Sequence, residues 1–235
     1  MSGPAAIILA AGAGSRLRSV APVKPLVDVG GRPLIAHALA AMQAGGAARA
    51  VVVLGYRAEA IEAAAASAAS GAGLPVDFVH NPHWETTPNG VSLLAARAHI
   101  GPGSLLMMAD HLLSPQLVRR LVEGAALPLA LGVDRRLGHP HVDEADVTRV
   151  RTGDGRIRAI GKHLAVYDCY DTGLFRIGPE LVSALDSLRS PGLSDGVSIL
   201  AGAGLAQAVD IGDAPWLDVD DARALKLARD EWRAA

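Results

Sequence analysis

The chain has 235 residues, half of them hydrophobic, enough to bury a substantial core as one large α/β domain. A formal net charge of −2, with no Lys or Arg run longer than a pair, excludes the basic face that a nucleic-acid partner requires. Cys169 is the single cysteine, so no internal disulfide forms, and no stretch is long and apolar enough to span a bilayer.

Met1-Ser2-Gly3-Pro4 has no basic n-region, so the apolar run Ala6 to Ala11 reads as a first strand and not as a secretion signal. It breaks into Gly12-Ala13-Gly14-Ser15-Arg16-Leu17 and continues to Lys24-Pro25-Leu26. Pro33 to Ala44 has helix-forming composition, with proline at its start and Gly45-Gly46 at its end. A β-branched run at Arg49 to Leu54, a helix over Ala58 to Ser70, a strand over Val76 to His80 and a helix over Gly90 to His99 follow. This alternation predicts βαβ units and a parallel sheet with helices on both faces, whose ligands sit beyond the carboxyl ends of the strands.

Leu105 to Ala109 is the next buried strand and ends at Asp110-His111; Ser114-Pro115 starts a helix running to Glu123. From Leu129 the texture changes. Val147 to Arg151 and Arg156 to Ile160 flank Thr152-Gly153-Asp154-Gly155, a hairpin that reads as a lid or acceptor region inserted in one fold. Leu174 to Ile177, Pro179 to Leu188, Ala206 to Asp210 and Asp221 to Trp232 supply a strand, a helix, a strand and a closing helix. The expected fold is a single-domain α/β protein with a mostly parallel, Rossmann-like mixed sheet flanked by helices and a small β-hairpin region.

The glycine loop carries the sharpest chemical signal. Glycines let successive backbone N–H groups turn toward an anion, and such nests bind phosphate oxygens. Ser15, Arg16 and Lys24 add a hydroxyl, a fork of donors and a point charge. Two better-known motifs fail, because Leu17 stands where the dinucleotide fingerprint needs a third glycine and no Gly-Lys-Ser/Thr follows as in a P-loop. The stretch resembles the signature of the nucleotidyltransferases that join a nucleoside triphosphate to a phosphorylated small molecule: a strand, Leu-Ala-Ala-Gly-x-Gly-Ser/Thr-Arg-Leu, a short gap, then Lys-Pro-Leu.

That resemblance implies one nucleotidyltransferase domain over residues 1–235, with a nucleotide-binding half at about 1–125, an acceptor-binding half at about 126–220 and a closing helix at 221–235. It assigns Leu9, Ala10, Ala11, Gly12, Ala13, Gly14, Ser15, Arg16 and Lys24 to the nucleotide. Arg16, Lys24 and Lys162 become the catalytic cations, Lys162 holding the acceptor's phosphate with Asp171 and Thr172 beside it. Asn89 and Gly90 lie where the family reads the base, although a helix-capping Asn89 fits the sequence equally well.

Transfer between two anions needs positive charge and positioning more than a proton-transfer group, and a divalent ion on carboxylates offsets the repulsion. Asp110 qualifies by its place at a strand's end. In Trp216-Leu217-Asp218-Val219-Asp220 the alternation of a short strand projects Asp218 and Asp220 to one side. The resemblance makes these three the ligands of Mg2+ (or Mn2+), leaving open which of Asp218 and Asp220 binds directly. His111 has two roles open, inside the site or filling the turn. His139, His141, Asp143, Glu144 and Asp146 read as a polar loop, because no third nitrogen or sulfur ligand accompanies the histidines. Cys169 reads as a small buried residue.

Longer segments, among them Asn89 to Leu94, Met108 to His111, Asp168 to Gly173, Leu193 to Val197 and Trp216 to Asp220, resemble the CTP:inositol-1-phosphate cytidylyltransferase branch. This implies a cytoplasmic enzyme that uses CTP and a phosphorylated small-molecule acceptor, with a downstream CDP-alcohol-using enzyme as the consumer of its product. Phosphocholine, an aminoalkyl phosphonate or another NTP and sugar 1-phosphate pair are the alternative substrates, and a non-catalytic nucleotide-binding module is the alternative class. The chain is only 3% aromatic, which disfavours the aromatic cage a quaternary amine would need.

Overall fold

In β1 (Ala5–Ala10) every residue is buried. Ala6, Ile8 and Ala10 enter one core and Ile7 and Leu9 enter a second, so the strand must be covered on both faces. The structure is a computed structural model that describes residues 3–17 and 22–232, and at Ser15 the backbone alone.

After β1 come a two-residue ribbon, β2 (Asp28–Val29) and β3 (Arg32–Pro33), then α1 (Leu34–Ala44), β4 (Arg49–Leu54), α2 (Ala58–Ala72), β5 (Val76–His80) and α3 (Asn89–Ala95). β6 (Ser104–Met108), β7 (His111–Leu113) and α4 (Pro115–Gly124) follow, with the Ser114 hydroxyl accepting from Leu117 N to cap α4. The second half holds β8 (Leu129–Asp134), β9 (Arg149–Gly153), β10 (Arg156–Gly161), β11 (Cys169–Ile177), α5 (Pro179–Asp186), α6 (Leu193–Gly202), β12 (Ala206–Asp210), β13 (Trp216–Asp218) and α7 (Ala222–Glu231).

Nine strands form one sheet in the order β5-β4-β1-β6-β11-β8-β12-β10-β9. The first four run parallel, as the alternation predicts, and β8 and β12 pair in parallel further on. β11 runs antiparallel to both β6 and β8, so the sheet is mixed across its middle. Helices α1, α2 and α4 cover one face and α3, α5 and α6 the other.

Three expectations change. The β9–β10 hairpin is no inserted lid: it forms the end of the same sheet, and β9 also pairs with the start of β11 through Val150 and Cys169. That pairing extends β11 back to Cys169, five residues before the predicted start at Leu174. The helix expected over Gly90 to His99 ends at Ala95, with a separate 3-10 turn at Arg97–His99. β8 and α6 were not foreseen as elements; α6 carries two glycines, Gly196 and Gly202, which weaken its helical pattern.

Two features place the site. β1 and β6 are parallel neighbours with Leu9 opposite Met108, so the glycine loop and Asp110 emerge side by side from the same edge. β7 pairs antiparallel with β13, which puts His111 opposite Asp218. A third core of Leu17, Val27, Val29, Leu34, Leu112, Leu217, Val219 and Leu225 packs beneath these segments and binds the loop, both short strands and α7 together.

β13 is also held from behind. Asp134, fully buried at the end of β8, accepts from Trp216 Nε1 at 2.7 Å and from three nitrogens of Arg136, the backbone N, Nε and Nη2, each at 2.9 Å. Asp134→Ala strands the indole N–H and leaves Arg136 without its partner. We expect a loss of about 3 kcal/mol, read as a fall in the urea midpoint at unchanged slope.

Candidate active site

Lys24 opens a 3-10 turn, Lys24–Leu26, and its side chain is only 4% exposed. An ammonium is costly to bury, and here carboxylates surround it. Its Nζ donates to Asp110 Oδ2 at 2.7 Å and to Asp220 Oδ1, and lies 3.8 Å from Asp218 Oδ1. The loop reaches this lysine at Gly14, where φ is +58° and a Cβ would stand 2.8 Å from Lys24 Cβ. Glycine is required there by both backbone and space.

The charges continue on either side in alternation. Asp110 Oδ1 bonds His111 Nδ1 at 2.8 Å, and His111 packs closely on Gly173, where a Cβ would fall 2.5 Å from the ring. Asp220 also pairs with Arg16, Arg16 with Asp146 at 2.8 Å, and Asp146 accepts from Lys162 Nζ at 2.6 Å.

Burial opposes charge on Lys24, but Asp110, Asp218 and Asp220 more than offset it and hold the ammonium above its ordinary range. Burial would raise Asp110, yet Lys24 and His111 hold it well below the usual carboxylate range. His111 resists burial through Asp218 and Asp110 and is pushed up to about 9. Burial dominates at Asp218, which rises to about 6. At Asp146 the hydrogen bonds of Lys162 and Arg16 overcome burial and bring the carboxyl down to about 2.

Asp218 differs from its neighbours in one respect: its Oδ1 is buried and accepts no hydrogen bond. Both oxygens of Asp110 and both of Asp220 are engaged. Asp110, His111 and Asp218 bring ligand atoms within 4.8 Å of one another, as do Asp146, Asp218 and Asp220. An oxygen-rich donor set with one orphaned carboxylate oxygen fits a hard divalent cation.

A pocket of about 170 Å³ opens beside this floor, walled by His111, Lys162, Asp171, Ser194, Trp216 and Arg223 among others. Asp171 lines it, and burial raises that carboxyl to about 6 while its Oδ1 accepts from Gly173 N at 2.7 Å.

Thr172 must be corrected. It is fully buried and its Oγ1 donates to Gly132 O at 2.8 Å, because strand alternation turns it to the face opposite Asp171. It braces β8 and is no acceptor ligand. The side chains of Leu9, Ala10 and Ala11 are core, and the carbonyls of Leu9 and Ala11 already accept from Ala109 N and Tyr56 N. These three therefore aim the loop, and Gly12 to Arg16 form it. Ser15's side chain lies outside the described residues. Asn89 does cap a helix, though not its own: its Oδ1 accepts from Leu193 N at 2.9 Å, at the start of α6. Gly90 is buried against Pro191. Cys169 is buried, as expected, and its thiol is pushed up to about 12 by that burial.

The site also holds residues that sequence reasoning passed over. Asp146 was read as part of a polar loop, and its partners Arg16 and Lys162 reach it from far off in the chain. His141 of the same loop pairs with Glu231 of α7 at 3.2 Å.

A glycine loop at the end of β1, a buried lysine held by three aspartates and a pocket beside them thus lie together at one edge of a mixed α/β sheet. The family profile described as a MobA-like NTP transferase domain matches residues 6–175, and the chain belongs to that family. It is 36% identical over 236 residues to a bifunctional IPC transferase and DIPP synthase of Rubrobacter xylanophilus, a match covering 97% of this chain and 52% of that protein. It is 32% identical over 238 residues to a CMP-5'-(3-aminopropyl)phosphonate synthase of Streptomyces rubellomurinus, covering 92% of this chain and 37% of the relative. The chain thus spans about half or less of the length of these relatives. The solved inositol-1-phosphate CTP transferase from T. maritima shares the fold over 100% of this chain and 99% of its own, with a TM-score of 0.85 at 22% identity. No helix among the described residues is long and apolar enough to cross a membrane.

The orphaned oxygen yields a test. Asp218→Asn should weaken Mn2+ binding at least about tenfold, followed by electron paramagnetic resonance, while the thermal midpoint stays close to that of the parent.

Proposed function

We propose that this protein transfers CMP from CTP to a phosphorylated small molecule, inositol 1-phosphate foremost, giving CDP-inositol and pyrophosphate. The observation that carries the reading is Asp146, whose two oxygens are held by Arg16 from the glycine-loop side and Lys162 from the pocket side. Two cations meet where a nucleotide phosphate and an acceptor phosphate would have to meet. The choice of CTP and inositol phosphate draws on the T. maritima structure, whose name prints both.

In this reading the backbone N–H groups from Gly12 to Arg16 seat the triphosphate, and Lys162 holds the acceptor's phosphate for in-line attack. An acceptor phosphate oxygen bonds to the α-phosphorus as the bond from that phosphorus to the bridging oxygen of pyrophosphate breaks, the leaving group keeping the electron pair. Arg16 and Lys24 stabilise the charge that develops on the leaving side. A Mg2+ (or Mn2+) ion on Asp218, with Asp110 or Asp220, would neutralise the triphosphate and draw electron density from the α-phosphorus. Asp218 is our choice for the direct ligand, since its oxygen is the one left without a partner. In this reading the enzyme is cytoplasmic, and its product suits a downstream CDP-alcohol-using enzyme.

A second reading, cytidylyl transfer to an aminoalkyl phosphonate, draws on the Streptomyces relative. Pyrophosphate release across four triphosphates and a panel of inositol 1-phosphate, phosphocholine, 3-aminopropylphosphonate and sugar 1-phosphates decides between them. CTP with inositol 1-phosphate should give the highest kcat/KM; no release with any pair would reject the catalytic reading.

The two lysines should separate kinetically. Lys24→Ala should chiefly lower kcat, and Lys162→Ala should chiefly raise the acceptor KM and spare CTP binding, each by roughly ten- to hundredfold. CTP calorimetry and acceptor kinetics on both variants check the assignment; weakened CTP binding in Lys162→Ala with an unchanged acceptor KM would move Lys162 to the nucleotide side.

A further inference from the structure

The first turn of α7 lines the same pocket as Lys162. Asp221 caps that helix, its Oδ1 accepting from Ala224 N at 2.7 Å, and Arg223 follows on the pocket side. Arg223 Nη2 donates to the carbonyl of Pro140 at 2.6 Å. That bond ties the guanidinium to the 139–147 loop without neutralising it.

The other cations around the pocket are already spoken for. Lys162 shares Asp146 with Arg16, Lys24 is enclosed by its three aspartates, His111 is bonded to Asp110, and His141 is paired with Glu231. Among the described residues lining the pocket, Arg223 is the cation with no carboxylate partner.

The charge balance gives this weight. Asp143, Asp146, Asp171, Asp218, Asp220 and Asp221 all line the same pocket. A phosphomonoester approaches such a surface with a charge between about −1.5 and −2 at neutral pH. Lys162, half offset by Asp146, is a thin counterweight. A guanidinium fork matches two oxygens of a phosphate or phosphonate at once, which a lysine does not.

We propose that Arg223 is the second anchor for the acceptor's phosphate or phosphonate group, and so a binding residue that makes the pocket require an anionic acceptor. The inference rests on the cytidylyl-transfer reading for the identity of the acceptor but not for the anion itself. Arg223 lies beyond residues 6–175, the span of the family profile.

Arg223→Gln removes the charge and keeps a donor near Pro140; Arg223→Lys keeps the charge and loses the fork. Binding of inorganic phosphate is read by calorimetry, and acceptor and CTP KM values by pyrophosphate release. Arg223→Gln should weaken phosphate binding and raise the acceptor KM by about ten- to hundredfold, with CTP KM and thermal midpoint near those of the parent. Arg223→Lys should recover part of both. Phosphate bound as tightly by Arg223→Gln as by the parent overturns the proposal. So does a variant in which CTP KM and thermal midpoint shift together with the acceptor KM, which would mark Arg223 as a brace for the 139–147 loop. A parent protein that turns over no acceptor, yet loses phosphate affinity in Arg223→Gln, refutes cytidylyl transfer and supports the anion site.

Discussion

An ammonium group that is 4% exposed is tolerable only where opposite charges enclose it, and Lys24 is enclosed by Asp110, Asp218 and Asp220. The dependence is mutual, since the three carboxylates would repel one another without the lysine. Their approach constrains much of the chain around the site. The Lys24 turn, the end of β6 and the end of β13 must all be brought to one point within a few ångströms. The β7–β13 pairing sets Asp218, the third core packs Leu17 beneath, and Gly14 leaves room for the Lys24 stem.

How much of this the sequence disclosed follows from how local each signal is. β1, the glycine loop, Lys24 and Asp110 were legible, because an apolar run ending in a turn marks a strand's carboxyl end without knowledge of anything else. Asp218 and Asp220 were legible as a pair through strand alternation. At Asp171 and Thr172 the resemblance put two adjacent residues on one pocket, which the alternation of a strand forbids, and the sequence does not say which of the two faces it. Burial on both faces removed the usual cue, as Thr172 is buried against Gly132 with its hydroxyl satisfied. Asp146 was invisible for a different reason: its role exists only once Arg16 and Lys162 have been folded onto it. The hairpin was found, but its attachment to the sheet through Cys169 and Val150 depends on a long-range pairing that turn chemistry does not encode.

The site's charges form a connected series from Lys162 through Asp146, Arg16, Asp220 and Lys24 to Asp110 and His111. Each member has an opposite charge on either side, except at the ends. Removing an interior member therefore takes one partner from each of two neighbours, and single substitutions along the series will not add. A phosphate held by Lys162 would compete with Asp146 for it, whereas a cation on Asp218 Oδ1 would meet an oxygen that no donor occupies.

The pocket divides between two parts of the chain. Met108, His111, Asp146, Lys162 and Asp171 come from within the 6–175 span of the family profile, whereas Ser194, Trp216, Asp218, Asp220 and Arg223 come after it. β13 belongs to both functions, since Trp216 lines the pocket and Asp218 faces Lys24 two residues on. Asp134 anchors that strand through the Trp216 indole, and the β7 pairing fixes its register. A change in acceptor preference that moved Trp216 would drag the metal-facing carboxylate with it. Arg223, carried by α7 beyond the Asp221 cap, can vary without disturbing β13. With Arg223 as the acceptor's anchor, that one position of α7, and not β13, is where acceptor recognition would be free to diverge, because Leu225 and Ala228 of the same helix are held in the third core with Leu217 and Val219.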